Sequence, residues 1–519
     1  MRHTRPAAPT PGPRRQLGAQ SSSAWRIATP RTFDRPSPAP SILLPPRRQL
    51  LLPARLRVRT APRGRAPAAS PIRPYREHPD IAGDERGHRG LTAEDRRLRA
   101  MVFLKRAWSG LRPLLAPSFA VLAAGGALAA CGGSAKAAST PAPAGLPSFY
   151  SVPAPLPSGP PGKLMKSQLV TVAGLHASVY RVMYLSQSVQ NRPVPVTGLV
   201  LVPTSPPPAG GYPVVSWGHG TNGMADQCAP SLDPSSAVPL ANQLLDRGWE
   251  VTASDYQGEG TPGLLPYIVG ESAARNTIDV VRAARQLAAA HASPNYVVWG
   301  HSEGGQTAMF ALDVGSSYAR DLRLQGVVAG APPSQFNLIY QFLINSPFRY
   351  YVFMAAAGFN AAYGNAAAPL SEVLTPQAIS LLPVLEQGCS DYVASEIDKY
   401  SLSQIAKTDP FSVPAWQELL RANDPQSFTT ASRTPLLIIQ GSADEQIPPV
   451  STQILASHLC GLGQDLERWI YPGQGHAGVV PVSMPDTIRW ISDRFAGQAN
   501  PDPYPPSGQP GIQDTRCPG

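Results

Sequence analysis

Three residues far apart in the chain have the types and surroundings suited to nucleophilic acyl transfer: Ser302, Asp444 and His476. Ser302 stands in Gly300-His301-Ser302-Glu303-Gly304-Gly305, after the apolar run Val297-Val298-Trp299 and before a helical pattern through Thr307, Ala308, Phe310 and Ala311. Glycine-rich loops produce Gly-x-Ser-x-Gly by chance, but between a strand and a helix it forms a nucleophile elbow. Such a turn is tight enough that side chains in place of Gly300 and Gly304 would strike the flanking strand and helix. The helix that follows directs its N-terminal amides at the site and favours negative charge there.

A serine hydroxyl is a weak nucleophile and needs a base oriented by an acid. Pro435-Leu436-Leu437-Ile438-Ile439-Gln440 reads as a buried strand that runs into Gly441-Ser442-Ala443-Asp444-Glu445. An acid just past a strand end lies at the edge of a sheet, so Asp444 is the expected acid, with Glu445 the neighbour able to replace it. Trp469-Ile470-Tyr471 then leads to Pro472-Gly473-Gln474-Gly475-His476, where a glycine-rich loop leaves the imidazole free to reach the serine. The steps are 142 residues from Ser302 to Asp444 and 32 from Asp444 to His476. Of the other histidines, His219 and His301 adjoin turn glycines, His291 ends a helix and His458 lies inside one, so each reads as a packing or surface residue. Acyl transfer also needs two backbone donors for an oxyanion. The expected pair is the amide of Glu303 and the amide of Thr221, the latter in Gly218-His219-Gly220-Thr221-Asn222-Gly223.

These loops require a sheet to carry them. Between about 168 and 497, apolar β-type runs alternate with helical patterns, which predicts an α/β fold with a mostly parallel sheet between helices. The strands expected are Val179–Leu185, Val194–Val202, Tyr212–Trp217, Trp249–Ser254, Tyr296–Trp299, Leu324–Ala329, Pro435–Gln440 and Glu467–Tyr471. Helices are expected at Ala237–Arg247, Glu271–Ala290 and Met484–Phe495, the second with Ile278, Val281, Ala284 and Leu287 at helical spacing. The alternation stops from Gln335 to Ser432, a stretch rich in Ala, Leu, Phe and Tyr that reads as an inserted helical cap over the C-terminal edge of the sheet. Most of its aromatics are expected to form the cap's own small core.

The whole chain of 519 residues carries a net +10, but residues 1–112 hold +17 and the remainder −7. The basic balance therefore belongs to a Pro-, Arg- and Ala-rich N-terminal segment unable to bury a core, and it gives no ground for a nucleic-acid partner. Residues 1–100 are expected to be a disordered or untranslated extension, because a complete export signal begins at Met101. Lys105, Arg106 and Arg112 form its positive start, Leu114 to Ala130 is uncharged and apolar, and Leu128-Ala129-Ala130-Cys131 resembles a bacterial lipobox. Acylation of Cys131 would anchor the exported protein to a membrane, with 131–165 as a flexible tether and 498–519 as a Pro-rich tail held by Cys517. The remaining cysteines, Cys228, Cys389, Cys460 and Cys517, suit two disulfides in an exported chain, with three pairings open. No Cys-x-x-Cys or His-x-x-x-His spacing occurs, so no metal or cofactor is implied.

Five motifs in order resemble the secretory lipase family of the α/β-hydrolase superfamily, known from yeast lipase A and exported actinobacterial lipases. They are Trp217-Gly218-His219-Gly220-Thr221, Ser254-Asp255-Tyr256-Gln257-Gly258-Glu259-Gly260, the Ser302 elbow, Gly441-Ser442-Ala443-Asp444 and Gly475-His476, and the similarity spans roughly 165–497. The resemblance implies a Ser302–Asp444–His476 triad, a cap at about 335–432, and disulfides Cys228–Cys389 and Cys460–Cys517. It implies an exported lipase or esterase acting on a lipid or other ester. Glu303 departs from the glycine of the yeast relatives, and Asp255 reads as a structural or substrate-side residue. The same triad also serves peptidases and acyltransferases, and an envelope binding protein could retain the fold without the chemistry.

Overall fold

The computed structural model describes residues 139–140, 142–143, 145–499 and 511–517. The expected extension, export signal, lipid-bearing Cys131 and start of the tether, with much of the Pro-rich tail, lie outside the described residues. A ten-stranded sheet organises the rest. Its strands are β1 (Leu164–Val170), β2 (Ala177–Gln187), β3 (Pro193–Pro203), β4 (Tyr212–Gly218), β5 (Glu250–Ser254), β6 (Ala292–His301), β7 (Arg323–Gly330), β8 (Leu436–Gly441), β9 (Leu466–Tyr471) and β10 (Ile512–Cys517). They lie in the order β10-β9-β8-β7-β6-β4-β5-β3-β2-β1. Strands β5, β4, β6, β7, β8 and β9 are mutually parallel, while β1, β2 and β3 add antiparallel at one side and β10 at the other.

The unbroken apolar runs of the central strands follow from cover on both faces. Val214, Val298, Val327 and Ile438 point to one side, where Ile278, Val281, Met309 and Leu455 of three helices close over them. Val215, Val297, Trp299, Val328 and Ile439 point to the other, against Met484, Ile488 and Trp490 of the helix Val479–Phe495. Alternation of side chains across the pleat thus splits each strand between two cores.

All eight expected strands are present in this sheet; its other two strands, and a short antiparallel pair of Ser139–Thr140 with Val152–Pro153, carry no such signal. β1 is half exposed, with Leu169 at 61 % exposure, and so lacks an apolar run. β10 lies in the tail, where the proline content hides a strand pinned to the helix Pro449–Gly461 by Cys460–Cys517. Helix boundaries also shift: Ala241–Leu245 is shorter than expected, Gly270–Ala284 stops earlier, and Val479–Phe495 starts five residues sooner. In the last case Pro481 occupies the first turn, where a missing N–H costs nothing because no intrahelical acceptor faces it. Part of the stretch expected as a tether is packed. Phe149, Tyr150 and Val152 are buried against Met183, and Tyr150 bonds Ser231 through its hydroxyl at 2.7 Å.

From 335 to 432 the chain forms helices and turns, the longest being Tyr350–Tyr363, with one isolated bridge between Leu374 and Ala406. Phe353, Phe359, Leu385, Val393 and Trp416 make its core, joined by Tyr256 and Tyr267 from the chain after β5. The Cys228–Cys389 disulfide ties it to the loop after β4 across 161 residues, and Ser390 N donates to Asn222 O at 2.7 Å beside it. No helix among the described residues is long and apolar enough to cross a membrane.

Candidate active site

Ser302 sits between β6 and the helix Glu303–Tyr318 with φ 60° and ψ −122°. A non-glycine residue at positive φ stores strain of about 1–3 kcal/mol and persists only where its surroundings hold it. Here the glycines do so. A Cβ on Gly300 would lie 2.0 Å from Gly304 O, and one on Gly304 would lie 1.9 Å from Gly218 O. The strand, helix and neighbouring strand touch backbone to backbone, and the serine is the residue left to project. Ser302 N donates to Gly330 O at 2.9 Å, which ties the elbow to β7. Gly304→Ala is expected to cost at least about 3 kcal/mol, because backbone must move to admit the methyl group. Thermal unfolding would report it against Gly461→Ala, where a Cβ meets nothing within 4 Å. Equal melting temperatures for the two variants would contradict this account of the elbow.

Asp444 and His476 come together on the loops after β8 and β9. His476 Nδ1 lies 3.0 Å and 2.9 Å from the two carboxylate oxygens of Asp444. The carboxylate also accepts from Gln446 N at 2.9 Å, Ile447 N at 2.8 Å and Gln440 Nε2 at 2.9 Å. Burial pushes the Asp444 carboxyl up, but His476 and the two amides outweigh it and hold the group below the usual carboxylate range. An ionised carboxylate only accepts, so Nδ1 of His476 carries the proton and Nε2 is left as an acceptor in the neutral ring. Glu445 takes another part: its Oε2 accepts from the backbone N of His476 at 3.0 Å. Gln440 went unremarked in the sequence, although it is the polar residue of an otherwise apolar strand. Its amide holds Asp444 while Thr452 Oγ1 donates to its Oε1 at 3.1 Å.

The remaining histidines separate clearly. His301 is buried with its ring centroid 4.6 Å from that of His476, and burial followed by the His476 charge lowers it to about 3, so it packs as a neutral ring. His301 precedes Ser302 in the chain, so the imidazole of His476 packs on the residue next to the elbow serine. His219 stacks on Tyr256 at 4.1 Å, and burial lowers it to about 4. His458 Nε2 bonds Phe428 O at 2.8 Å, and His291, expected at a helix end, lies beyond the helix that stops at Ala284, in the link before β6 with φ 55°. Asp255 accepts from Thr197 Oγ1 at 2.7 Å, Ser231 N at 2.8 Å and the Ser231 hydroxyl, so it braces β3 and the loop after β4.

The loop Gly218–Gly223 lies against the serine, since a Cβ on Gly220 would stand 3.6 Å from Ser302 Cβ. Glu303 opens the helix, where a backbone N–H has no intrahelical acceptor and is free for a ligand. Thr221 bonds Tyr267 OH through Oγ1 at 2.8 Å. Ser302 and Glu303 form one wall of a cavity of about 1140 Å³, open mouth included, whose other walls include Tyr267, Phe336, Tyr351, Phe359 and Trp416. Its apolar lining comes mostly from 335–432, and Gln446 and Ile447, just past Asp444, complete the wall by the serine. Among the described residues no cluster of three or more His, Cys, Asp or Glu is placed to hold a metal ion.

A mostly parallel sheet with a nucleophile-type elbow after a central strand, and an acid and a histidine on later loops, defines the α/β-hydrolase fold. The fold is shared with the closed state of Candida antarctica lipase A, with a TM-score of 0.59 at 18 % identity over 71 % of this chain and 90 % of that one. Within that fold the chain belongs to the secretory lipase family, whose model matches residues 231–502, and its class is that of carboxylic ester hydrolases. A secreted triacylglycerol lipase of Malassezia globosa is 24 % identical over 65 % of this chain and 78 % of its own length. A probable inactive lipase of Mycobacterium tuberculosis is 24 % identical over 67 % of this chain and 82 % of its own.

Proposed function

We propose that the protein is an exported serine lipase or esterase that cleaves apolar carboxylic esters through an acyl-enzyme on Ser302. His476 Nε2 takes the hydroxyl proton as Ser302 Oγ attacks the ester carbonyl, and the amides of Glu303 and Thr221 hold the oxyanion. The proton passes to the leaving alkoxide, the alcohol departs, and water activated by His476 releases the acid. Asp444 keeps Nδ1 protonated throughout. In this reading 166–497 is the hydrolase domain, 335–432 its cap, and Cys131 the point of lipid attachment after export.

The observation that carries the proposal is the Asp444–His476 pair, whose imidazole packs on His301, the residue before the strained, glycine-braced Ser302. The apolar cavity running from Ser302 into the cap supports a hydrophobic acyl group as its occupant. Ala355, which lines that cavity from the helix Tyr350–Tyr363, offers a test of the acyl site. Ala355→Phe is expected to cut kcat/KM for long p-nitrophenyl acyl esters about tenfold or more while sparing the butyrate. This follows from about 1–3 kcal/mol of lost apolar contact and added crowding. A parallel fall at every chain length would place the acyl chain elsewhere.

A non-catalytic role is the second reading, because one relative bears the description of an inactive lipase. Covalent labelling with a fluorophosphonate separates the two. A hydrolase labels at Ser302, and a chain that does not label and turns over no ester at any chain length refutes the proposal.

A further inference from the structure

The mechanism uses the amide of Glu303 and leaves its side chain unexplained. That carboxyl is 2 % exposed, lies in the cavity wall beside Ser302, and its Oε2 is buried with no hydrogen-bond partner among the described residues. Its polar neighbour is the Thr221 side chain, itself bonded to Tyr267 OH at 2.8 Å. Among the described residues, the ionisable groups that its charge reaches are acids or phenols: Glu259 and Tyr256 from the chain after β5, Tyr267 further along it, and Tyr351 from the cap. Glu259 is buried in turn, and its own neighbour is His219, whose Nε2 lies 3.7 Å from Oε2. The His219 ring is neutral, since burial lowers it to about 4. The basic groups of the site are already engaged: Arg349, which lines the same cavity, pairs with Asp398 at 3.2 Å, and His476 is held by Asp444 at 2.9 Å.

An ionised carboxylate here would sit in an apolar wall, beside the point where an ester oxygen becomes negative. Both effects oppose it: burial disfavours the charge, and like charges in a dry site repel strongly. We propose that the Glu303 side chain must carry its proton for acyl transfer to occur, so that this residue, fixed on Thr221, sets an alkaline limit on turnover. The inference rests on the proposed roles of Ser302, Glu303 N and Thr221 N. Burial raises Glu303 to about 8, with the Thr221 hydrogen bond pulling the other way, which places the limit within a measurable range. The sign is fixed by this direction. Below about 8 the acid is neutral and the oxyanion forms unopposed; above it a negative charge stands beside the oxyanion.

The test is the pH dependence of kcat/KM for p-nitrophenyl butyrate between pH 5 and 10, each protein normalised to its own value at pH 7. The wild type should fall on the order of 10–100-fold as pH rises through about 8. Glu303→Gln, neutral at every pH, should lose this limb whatever its absolute rate, and Glu259→Gln should keep it. Thr221→Val removes the bond that favours the ionised form, so its limb should move to higher pH. Melting temperature supplies an independent readout. A raised carboxyl stabilises the fold most fully below its unfolded value and loses that contribution as pH rises through the folded one. The wild type should therefore lose stability relative to Glu303→Gln between about pH 4.5 and 8. A limb that survives in Glu303→Gln, stays put in Thr221→Val, or vanishes in Glu259→Gln overturns this inference alone. A wild type that turns over no ester at any pH overturns the hydrolase reading and this inference with it.

Discussion

Ser302→Ala is expected to lower kcat for any ester about 10⁵–10⁶-fold and to abolish fluorophosphonate labelling, while the melting temperature stays close to that of the wild type. The loss is large because in the proposed mechanism the hydroxyl forms the covalent bond on which both half-reactions depend, and no neighbouring side chain can take its place. His301 is a neutral buried ring packed on His476, and Glu303 is a buried acid. The fold should survive because the elbow is held by backbone contacts. Gly300 and Gly304 abut Gly304 O and Gly218 O, and Ser302 N bonds Gly330 O, none of which involves the serine side chain. Alanine at φ 60° bears the same backbone strain as serine. Residual turnover above the uncatalysed rate would come from the oxyanion amides and from binding. Retention of more than a few per cent of wild-type activity would place the nucleophile elsewhere.

Asp444→Asn is expected to lower kcat about 10⁴-fold with little change in the fold. Gln446 N and Ile447 N still find the carbonyl oxygen of asparagine as acceptor. The amide nitrogen then replaces the oxygen 2.9 Å from both His476 Nδ1 and Gln440 Nε2, so donors face donors. The ring relieves this by moving its proton from Nδ1 to Nε2, and in the proposed mechanism Nε2 is the atom that must be bare to accept the Ser302 proton. A steady-state profile at pH 7 with circular dichroism on the same sample checks the prediction. Glu445→Gln provides the contrast, since Glu445 holds only the backbone N of His476 and its loss should be far milder. A larger effect at 445 than at 444 would exchange the roles of the two acids. The direction of the Asp444 shift adds a constraint on pH. A carboxyl held below the usual range stays ionised, and keeps its contribution, until pH falls through that lowered value.

Much of the architecture is legible in the chain because it depends on local order. Central strands such as Leu436–Gly441 announce themselves as short apolar runs, since burial on both faces demands it. The elbow is legible for the same reason, because a strand, a glycine-flanked serine and a helix are consecutive. Elements that owe their structure to a distant partner are not. β1 is a half-exposed edge whose one ladder partner among the described strands is β2, and β10 is a strand because β9 and Cys460 offer it an edge and a cross-link. Phe149 and Tyr150 look like part of a proline-rich tether until Met183 and Ser231 supply the surface they cover.

The candidate site divides along the same line. The types and order of Ser302, Asp444 and His476, and the loop of Thr221, follow from motifs and strand ends, which are properties of neighbouring residues. That Asp444 rather than Glu445 meets the imidazole, that Gln440 supports it, and that His301 lies on the His476 ring are settled by how β6, β8 and β9 align in one sheet. The burial of Glu303 belongs there too. Sequence places an acid after the serine, but its environment comes from Thr221, Tyr256, Glu259, Tyr267 and Tyr351, which lie 36 to 82 positions away. Covalent neighbours dictate what a residue can do; desolvation and the field of distant groups, which exist only once the chain has packed, decide its protonation and its partner.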